Sequence, residues 1–360
     1  MLDGWRGIAA FFVLLHHVSS VRFGAEAVIL FFVISGYCIT AAAEAASRKG
    51  MGFRQFMLRR VRRIYPPYLA SIAFLAIPRA LKAAAGYGTF RTTPLIWIQQ
   101  LTLTQWTSLL LHPKAHADEN TQLFVAAYWS LGYEEQFYLV MGVLMVGVAF
   151  LNRRMVLATL MLVALAWNLA MPHEVRGIFI EYWPHFALGS LLFYRLCRMR
   201  GAAIRRWTDV TVAALVIVYG ALAWRDRGFT DAARPVNYEM FVAAAFALLL
   251  LAMRPFNDRF KASHAGRALM WLGLISYSLY LINQFNVGLV TAIAGHIVPA
   301  RMPEVFRTIA KVIAELMIAV VFWYACERPF LNRPIVPPSG GPPAPRDEVV
   351  VMNPVASAGE

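Results

Sequence analysis

An arginine and a histidine stand eleven positions apart in the apolar run LDGWRGIAAFFVLLHHV, residues 2–18. At about 100° per residue that spacing returns Arg6 and His17 to one face of a helix, about 16 Å apart along its axis. A guanidinium stays protonated and makes forked, charge-assisted bonds to anionic oxygens. An imidazole takes up and returns a proton near neutrality. Aligned on one apolar helix, the two suit a long ligand that is anionic at one end and reactive at the other. They are a costly way to build a mere membrane anchor. His16 points elsewhere and is expected to pack.

Two further groups add to this chemistry. Arg59, Arg60, Arg62 and Arg63 come just before Tyr65. Such a run marks the cytoplasmic flank of a membrane span and touches lipid headgroups. It can equally clamp phosphate. With Arg6 expected at the same level, the four arginines and Tyr65 would form an anion-binding mouth. The stretch Tyr128-Trp129-Ser130-Leu131-Gly132-Tyr133-Glu134-Glu135-Gln136-Phe137-Tyr138 sets two adjacent carboxylates in another apolar run. They point about 100° apart, so both cannot face lipid without cost. One can serve an ion pair with arginine. The other, Glu134 or Glu135, is expected in a polar cavity near His17, where it would orient the ring and favour its imidazolium form. Cys38, Cys197 and Cys326 have no ligand-like spacing; they read as small hydrophobes, and no metal is expected.

Composition says what must hold these groups. The chain has 360 residues, 59% of them hydrophobic and 15% charged, with a mean hydropathy of +0.55. Too little polar surface is available to cover a soluble domain, so the fold expected is an all-α polytopic membrane protein. The net charge of +14 sits largely in short loops between apolar spans, which points to topology rather than nucleic acid. Ten spans are expected, at about 4–21, 26–45, 64–85, 128–150, 154–172, 178–196, 208–225, 238–254, 270–296 and 304–326. The third opens with Tyr65-Pro66-Pro67-Tyr68, proline being tolerated in a helix's first turn. Lys and Arg concentrate in alternate connections, 48–63, 153–154, 195–206 and 254–267, which predicts both termini in the cytoplasm. The longest connection, 86–127, holds an amphipathic piece (Leu95 to Leu111) expected on the membrane surface between the third and fourth spans. No cleavable signal peptide is expected. Residues 331–360, rich in Pro and Gly, read as a disordered cytoplasmic tail after a transmembrane domain of residues 1–330.

These pieces resemble the membrane-bound acyltransferase-3 family. Leu2-Asp3-Gly4 through His17 is similar to its opening, with the arginine–histidine pair. Phe31-Phe32-Val33-Ile34-Ser35-Gly36-Tyr37 resembles its second-helix signature, and Arg59 through Tyr68 its arginine run ahead of Tyr-Pro. Trp129-Ser130-Leu131 with Glu134-Glu135-Gln136-Phe137-Tyr138, then Ser276-Tyr277-Ser278-Leu279-Tyr280-Leu281 and Glu327-Arg328-Pro329-Phe330, follow in the family's order. There are two departures. Ala27 and Ile29 replace a Gly and an Asp ahead of the Phe-Phe, and Asn283 stands where many members have His.

The resemblance implies an O-acyltransferase in the bacterial inner membrane. It would move an acyl group, chiefly acetyl, from cytoplasmic acyl-CoA to a hydroxyl of an extracytoplasmic glycan or lipid-linked glycan, such as exopolysaccharide, O-antigen or lipo-oligosaccharide. Acyl-CoA (acetyl-CoA) is then a co-substrate, no cofactor is tightly bound, and glycan-export proteins are partners to consider. Arg6, Arg59, Arg60, Arg62, Arg63 and Tyr65 would hold the donor's phosphates. His17 would be the general base, aided by Glu134 or Glu135. Ser35, Trp129, Ser130, Tyr138 and Asn283 are candidates for binding substrate or the oxyanion. The hydrolase-like domain fused to some members is expected to be absent. The competing class is a proton-coupled transporter or flippase of a glycan precursor.

Overall fold

The computed structural model describes residues 2–87, 90, 93–107, 128–147, 153–170, 177–229, 236–299 and 301–331. Every regular element among them is helical, as the apolar periodicity requires. In chain order these are α1 (Leu2–Val18), α2 (Gly24–Arg48), α3 (Phe53–Ala84), α4 (Pro94–Thr102), α5 (Trp129–Gly147), α6 (Arg153–Ala170), α7 (Trp183–Cys197), α8 (Ala202–Arg225), α9 (Val236–Met253), α10 (Asn257–Ala262), α11 (His264–Leu274), α12 (Ser276–Ile282), α13 (Val287–Ile297) and α14 (Glu304–Phe322). A π-helical turn, Trp323–Glu327, and a short 3-10 turn, Arg328–Phe330, follow α14.

Five stretches are long and apolar enough to cross a membrane: α2, α3, α8, Val236–Ala262 and Glu304–Phe330. α11 and α12, bent 54° against each other, make a sixth if taken as one span. The expected count of ten is therefore higher than length and apolarity support among the described residues. The reasons are physical. α7 has only 15 residues, which at 1.5 Å each rise about 22 Å, short of a hydrocarbon core of roughly 30 Å. The expected span 270–296 is broken into α11, α12 and α13.

A second correction concerns α3. It begins at Phe53, well before the Tyr-Pro-Pro-Tyr that was expected to open it, and it runs through Pro66, Pro67 and Pro78. The arginine run is thus part of the helix rather than a loop. Proline has no N–H to give, so the carbonyls of Arg62 and Arg63 lose their helical donors to Pro66 and Pro67. Of the piece between α3 and α5, residues 85–87, 90, 93–107 and 128 are described, and the tail expected at 331–360 lies outside the described residues beyond Leu331. α4 presents Leu95, Ile98 and Leu101 outward and Gln100 inward, with Leu103 and Gln105 also buried. Tyr68 donates to the Gln100 carbonyl at 2.6 Å, and the Gln105 amide to Tyr68 at 3.1 Å. The polar side of this segment faces protein and its apolar side faces out.

Side chains pack into two main clusters. One gathers α2, α5, α7 and α9 around Phe32, Phe137, Trp183 and Phe186. The other gathers α1, α3, α5, α12 and α14 around Leu14, Tyr68, Leu279 and Phe322. α5 feeds both, Leu131 into the second and Phe137 into the first, so Glu134 and Glu135 stand at the seam. Helices that close have to be small where they meet. An added Cβ at Gly7 would lie 2.2 Å from the Leu269 carbonyl oxygen, which puts α1 and α11 in backbone contact. At Gly36 it would lie 2.0 Å from the Phe186 carbonyl oxygen, which does the same for α2 and α7. Gly36→Val should therefore force α2 from α7 and destabilise the fold by about 1–3 kcal/mol or more. Thermal unfolding of the detergent-purified protein measures this; an unchanged melting temperature would show the crossing to be looser than described.

Candidate active site

The face of α1 that holds Arg6 and His17 looks into the protein. Ala10 and Val13, which lie between them on that face, are 1% and 4% exposed, whereas Phe12 on the far side is exposed. Both functional side chains are themselves half-buried. The Arg6 charge acts on Cys38 of α2 and on Glu327. At the other end, the His17 ring lies 5.3 Å from that of His16 in an edge-on contact. His16 in turn packs on Gly24, where an added Cβ would come within 2.6 Å of its ring. The packing role expected of His16 follows from this short turn into α2.

α3 divides the four arginines. Arg60 and Arg63 share a helix face with the buried Phe56 and Pro67; they and Arg59 are half-buried, while Arg62 is exposed. The Arg60 guanidinium stacks 5.6 Å from the Phe56 ring and 5.4 Å from the Tyr138 ring. Arg63 acts on Cys38, Tyr138 and Glu327. The structure therefore brings Arg60 and Arg63 towards Arg6 and turns Arg62 away.

The two carboxylates of α5 have separate partners. Glu134 Oε1 accepts from Tyr138 at 2.9 Å and from Ser35 of α2 at 3.3 Å. Glu135 Oε1 accepts from Tyr65 at 2.5 Å, and Tyr65 is also within 3.3 Å of the Thr102 carbonyl. Neither carboxylate bonds His17. Both line a narrow cleft with Arg60, Tyr65, Leu131 and Tyr138. Carboxylates and a guanidinium thus share one opening, at the arginine end of the site. The neighbours of these residues are structural. Gln136 ties the 177–179 stretch, its amide donating to the Gly177 carbonyl at 2.9 Å and accepting from Phe179 N–H at 2.8 Å. Phe137 stacks on Phe186 at 4.5 Å. Trp129 packs edge-on among Phe32 and Tyr133 and tilted against Tyr182.

The last two motif pieces are locked together. Glu327, 2% exposed on the π-helical turn, accepts from the Ser278 backbone N–H at 3.1 Å and from its hydroxyl at 2.5 Å. The rest of α12 is tied down as well. Tyr277 donates to the Ile64 carbonyl of α3 at 3.0 Å, and Tyr280 shares a 2.8 Å hydrogen bond with Ser130. Tyr128 donates to the Leu281 carbonyl at 3.0 Å. Asn283, at the end of α12, is wholly buried. Sequence reasoning treated Glu327 only as part of a motif. The signal that could have found it is the one applied to Glu134: a carboxylate in an apolar run has to answer a charge elsewhere. Among the described residues no three His, Cys, Asp or Glu side chains group as a metal site would need.

Comparisons with known proteins identify the family. The acyltransferase-3 family model, described as an acyltransferase domain, matches residues 1–328. YrhL of Bacillus subtilis, whose name assigns it as a peptidoglycan O-acetyltransferase, is 24% identical over 91% of this chain and 54% of its own length. BcsY of Komagataeibacter xylinus, named a membrane-bound transacylase, is 26% identical over 78% of this chain and 70% of its own. OatA of Listeria monocytogenes, a peptidoglycan O-acetyltransferase, is 22% identical over 91% of this chain and 55% of its own. The chain thus spans about half the length of two of these relatives. No solved structure matches it. If Glu327 ties the site as drawn, Glu327→Ala orphans both Ser278 donors and destabilises the protein by about 2–3 kcal/mol, against about 1 kcal/mol for Ser278→Ala. Equal melting temperatures for parent and both variants would refute the tie.

Proposed function

The chain belongs to the acyltransferase-3 family, and on that premise we propose that it is a membrane O-acyltransferase that moves an acyl group, chiefly acetyl, from acyl-CoA to a hydroxyl of a glycan outside the cytoplasm. The coarser part, a multi-pass membrane acyltransferase, follows from the family and the apolar helices. The donor and the acceptor are our reading of the site. The names of the relatives, two of them peptidoglycan O-acetyltransferases, support a glycan acceptor.

The observation behind this reading is the buried face of α1 with a guanidinium at one end and an imidazole at the other. The donor's phosphates bind at the arginine end, on Arg6, Arg60 and Arg63, with Arg59 and Tyr65 beside them. Arg62, being exposed, meets lipid headgroups instead. The pantetheine arm has the length to run the roughly 16 Å to His17. There His17 takes the proton of the acceptor hydroxyl as its oxygen attacks the thioester carbonyl, and returns it to the departing thiolate as the C–S bond breaks. A new C–O ester bond and a free thiol result, with no net proton change. Ser35 and Tyr138, expected as oxyanion donors, give their hydrogens to Glu134 at the arginine end instead, which leaves the tetrahedral oxyanion to donors nearer His17. Because Glu134 and Glu135 are held by Ser35, Tyr138 and Tyr65, we assign them to shaping the cleft around Arg60 rather than to supporting His17.

The test is acetyl transfer from acetyl-CoA to surface glycans in membranes carrying His17→Ala or Arg6→Ala at matched protein levels. His17→Ala should lower kcat by at least 10² if the ring is a general base. Arg6→Ala should chiefly raise the KM for acetyl-CoA. Parent-level transfer by well-folded His17→Ala would remove the imidazole from the mechanism. Solute uptake into vesicles without acyl-CoA would favour the transporter reading.

A further inference from the structure

Away from Arg6, Glu134 and Glu327, a second group of polar side chains lies buried in apolar surroundings. Glu315 of α14 and Asn283 at the end of α12 are each 0% exposed, and Asn286 is 9% exposed. Neither Glu315 oxygen, and neither the oxygen nor the nitrogen of the Asn283 carboxamide, has a hydrogen-bond partner among the described residues. The Asn286 side chain is set to hydrogen-bond Glu315 and answers it in part. Their chain neighbours Ile282, Val290, Ala314 and Ala319 are buried in the second apolar cluster. A buried carboxyl answered only in part is costly, and each unanswered amide group costs about 1–3 kcal/mol.

The backbone here is irregular too. α12 is bent 54° against α11, and it stops at the four-residue turn Asn283–Asn286 before α13. Broken helix at membrane depth is tolerated where it lines a polar site, and discontinuous helices frame substrate sites in transporters for that reason. Depth agrees with a role beside His17. Counted from the level where Arg6 acts on Glu327, His17 lies eleven residues along α1 and Glu315 twelve residues back towards the start of α14. At 1.5 Å per residue both are about 16–18 Å away, while Asn283, five residues past the Ser278 that bonds Glu327, lies at a depth between the two levels.

We infer that Asn283, Asn286 and Glu315 form the subsite that receives hydroxyl groups of the acceptor glycan next to His17. This rests on the acyl-transfer reading above and names where its second substrate binds. The orphan set holds acceptors (Glu315 Oε1 and Oε2, Asn283 Oδ1) together with a donor (Asn283 Nδ2). A metal cation would answer the oxygens and leave the nitrogen stranded; an anion would meet the carboxylate. A sugar hydroxyl gives one hydrogen bond and takes others, so it answers both kinds. Asn283 then sets which hydroxyls fit rather than taking the proton.

The test uses the full chain in detergent micelles, acetyl-CoA as donor, and chitotetraose and cellotetraose as acceptor probes, with ester formation read by mass spectrometry. Glu315→Ala and Asn283→Ala should raise the acceptor KM about tenfold or more, the loss of roughly one charge-assisted or two neutral hydrogen bonds. The Kd for acetyl-CoA should stay within about twofold of the parent. An unchanged acceptor KM overturns the subsite. So does a parallel loss of donor and acceptor binding, which is the signature of an interhelical strut. If either alanine variant fails to fold, Glu315→Gln decides: it keeps the shape but exchanges an acceptor for a donor, so an acceptor KM equal to the parent's overturns the proposal. If the parent binds acetyl-CoA but acetylates neither saccharide, the hydroxyl-subsite assignment falls while the donor half of the acyl-transfer reading stands. If it does not bind acetyl-CoA at all, that reading falls first.

Discussion

Charge is expensive inside an apolar bundle, and the structure is organised around keeping a few charges there answered. Arg6 and Arg63 approach one carboxylate, Glu327, which is held from below by two donors of Ser278. Removing any of these leaves the others in a medium that cannot screen them. The same constraint explains Arg60, whose guanidinium is spread over the rings of Phe56 and Tyr138. Cationic side chains kept partly desolvated are well suited to bind a polyphosphate, because little water has to be stripped from them when the ligand arrives.

This arrangement needs helices that come very close, and small residues provide that. Gly7 and Gly273 let α1 and α11 touch, and Gly36 and Gly189 do so for α2 and α7. α12 is then a short strut between the two halves of the site. Its hydroxyls and carbonyls reach α3 through Tyr277, α5 through Tyr280, the start of α5 through Leu281 and the π-helical turn through Ser278. A seven-residue helix has too few internal hydrogen bonds to hold its own direction. Its place is set by these four ties, which reach three separate stretches of the chain.

Two stations emerge along α1. The arginine end gathers Arg6, Arg60, Arg63 and Glu327 with the cleft that holds Glu134 and Glu135. The histidine end has a half-buried imidazole, and the proposed subsite adds the carboxyl of Glu315 and the carboxamide of Asn283 on neighbouring elements. An acyl donor with a long arm between its phosphates and its reactive carbon matches the first two ends of that line. The acyl-transfer chemistry proposed for the family fold needs nothing more from the protein than positioning, one mobile proton and donors for an oxyanion.

Much of this could be read before any coordinates. The Arg6–His17 register, the membrane class and the cost of carboxylates in apolar runs all rest on helical periodicity and transfer free energy, which act locally and are written in the order of residues. The same arithmetic separated His16 from His17. The partners were another matter. Glu134 and Glu135 were expected near His17 and instead meet Ser35, Tyr138 and Tyr65, because which side chain answers a buried charge depends on which helices cross. α3 runs unbroken through Pro66 and Pro67 because tertiary packing outweighs the local preference for a start there. Glu315, twelve residues before Glu327, drew no notice in the sequence; nothing local distinguishes a buried carboxylate without a partner from one with a partner. Local physics specified the elements and their polar faces, and only the long-range crossings of glycine-bearing helices decided which of those faces meet.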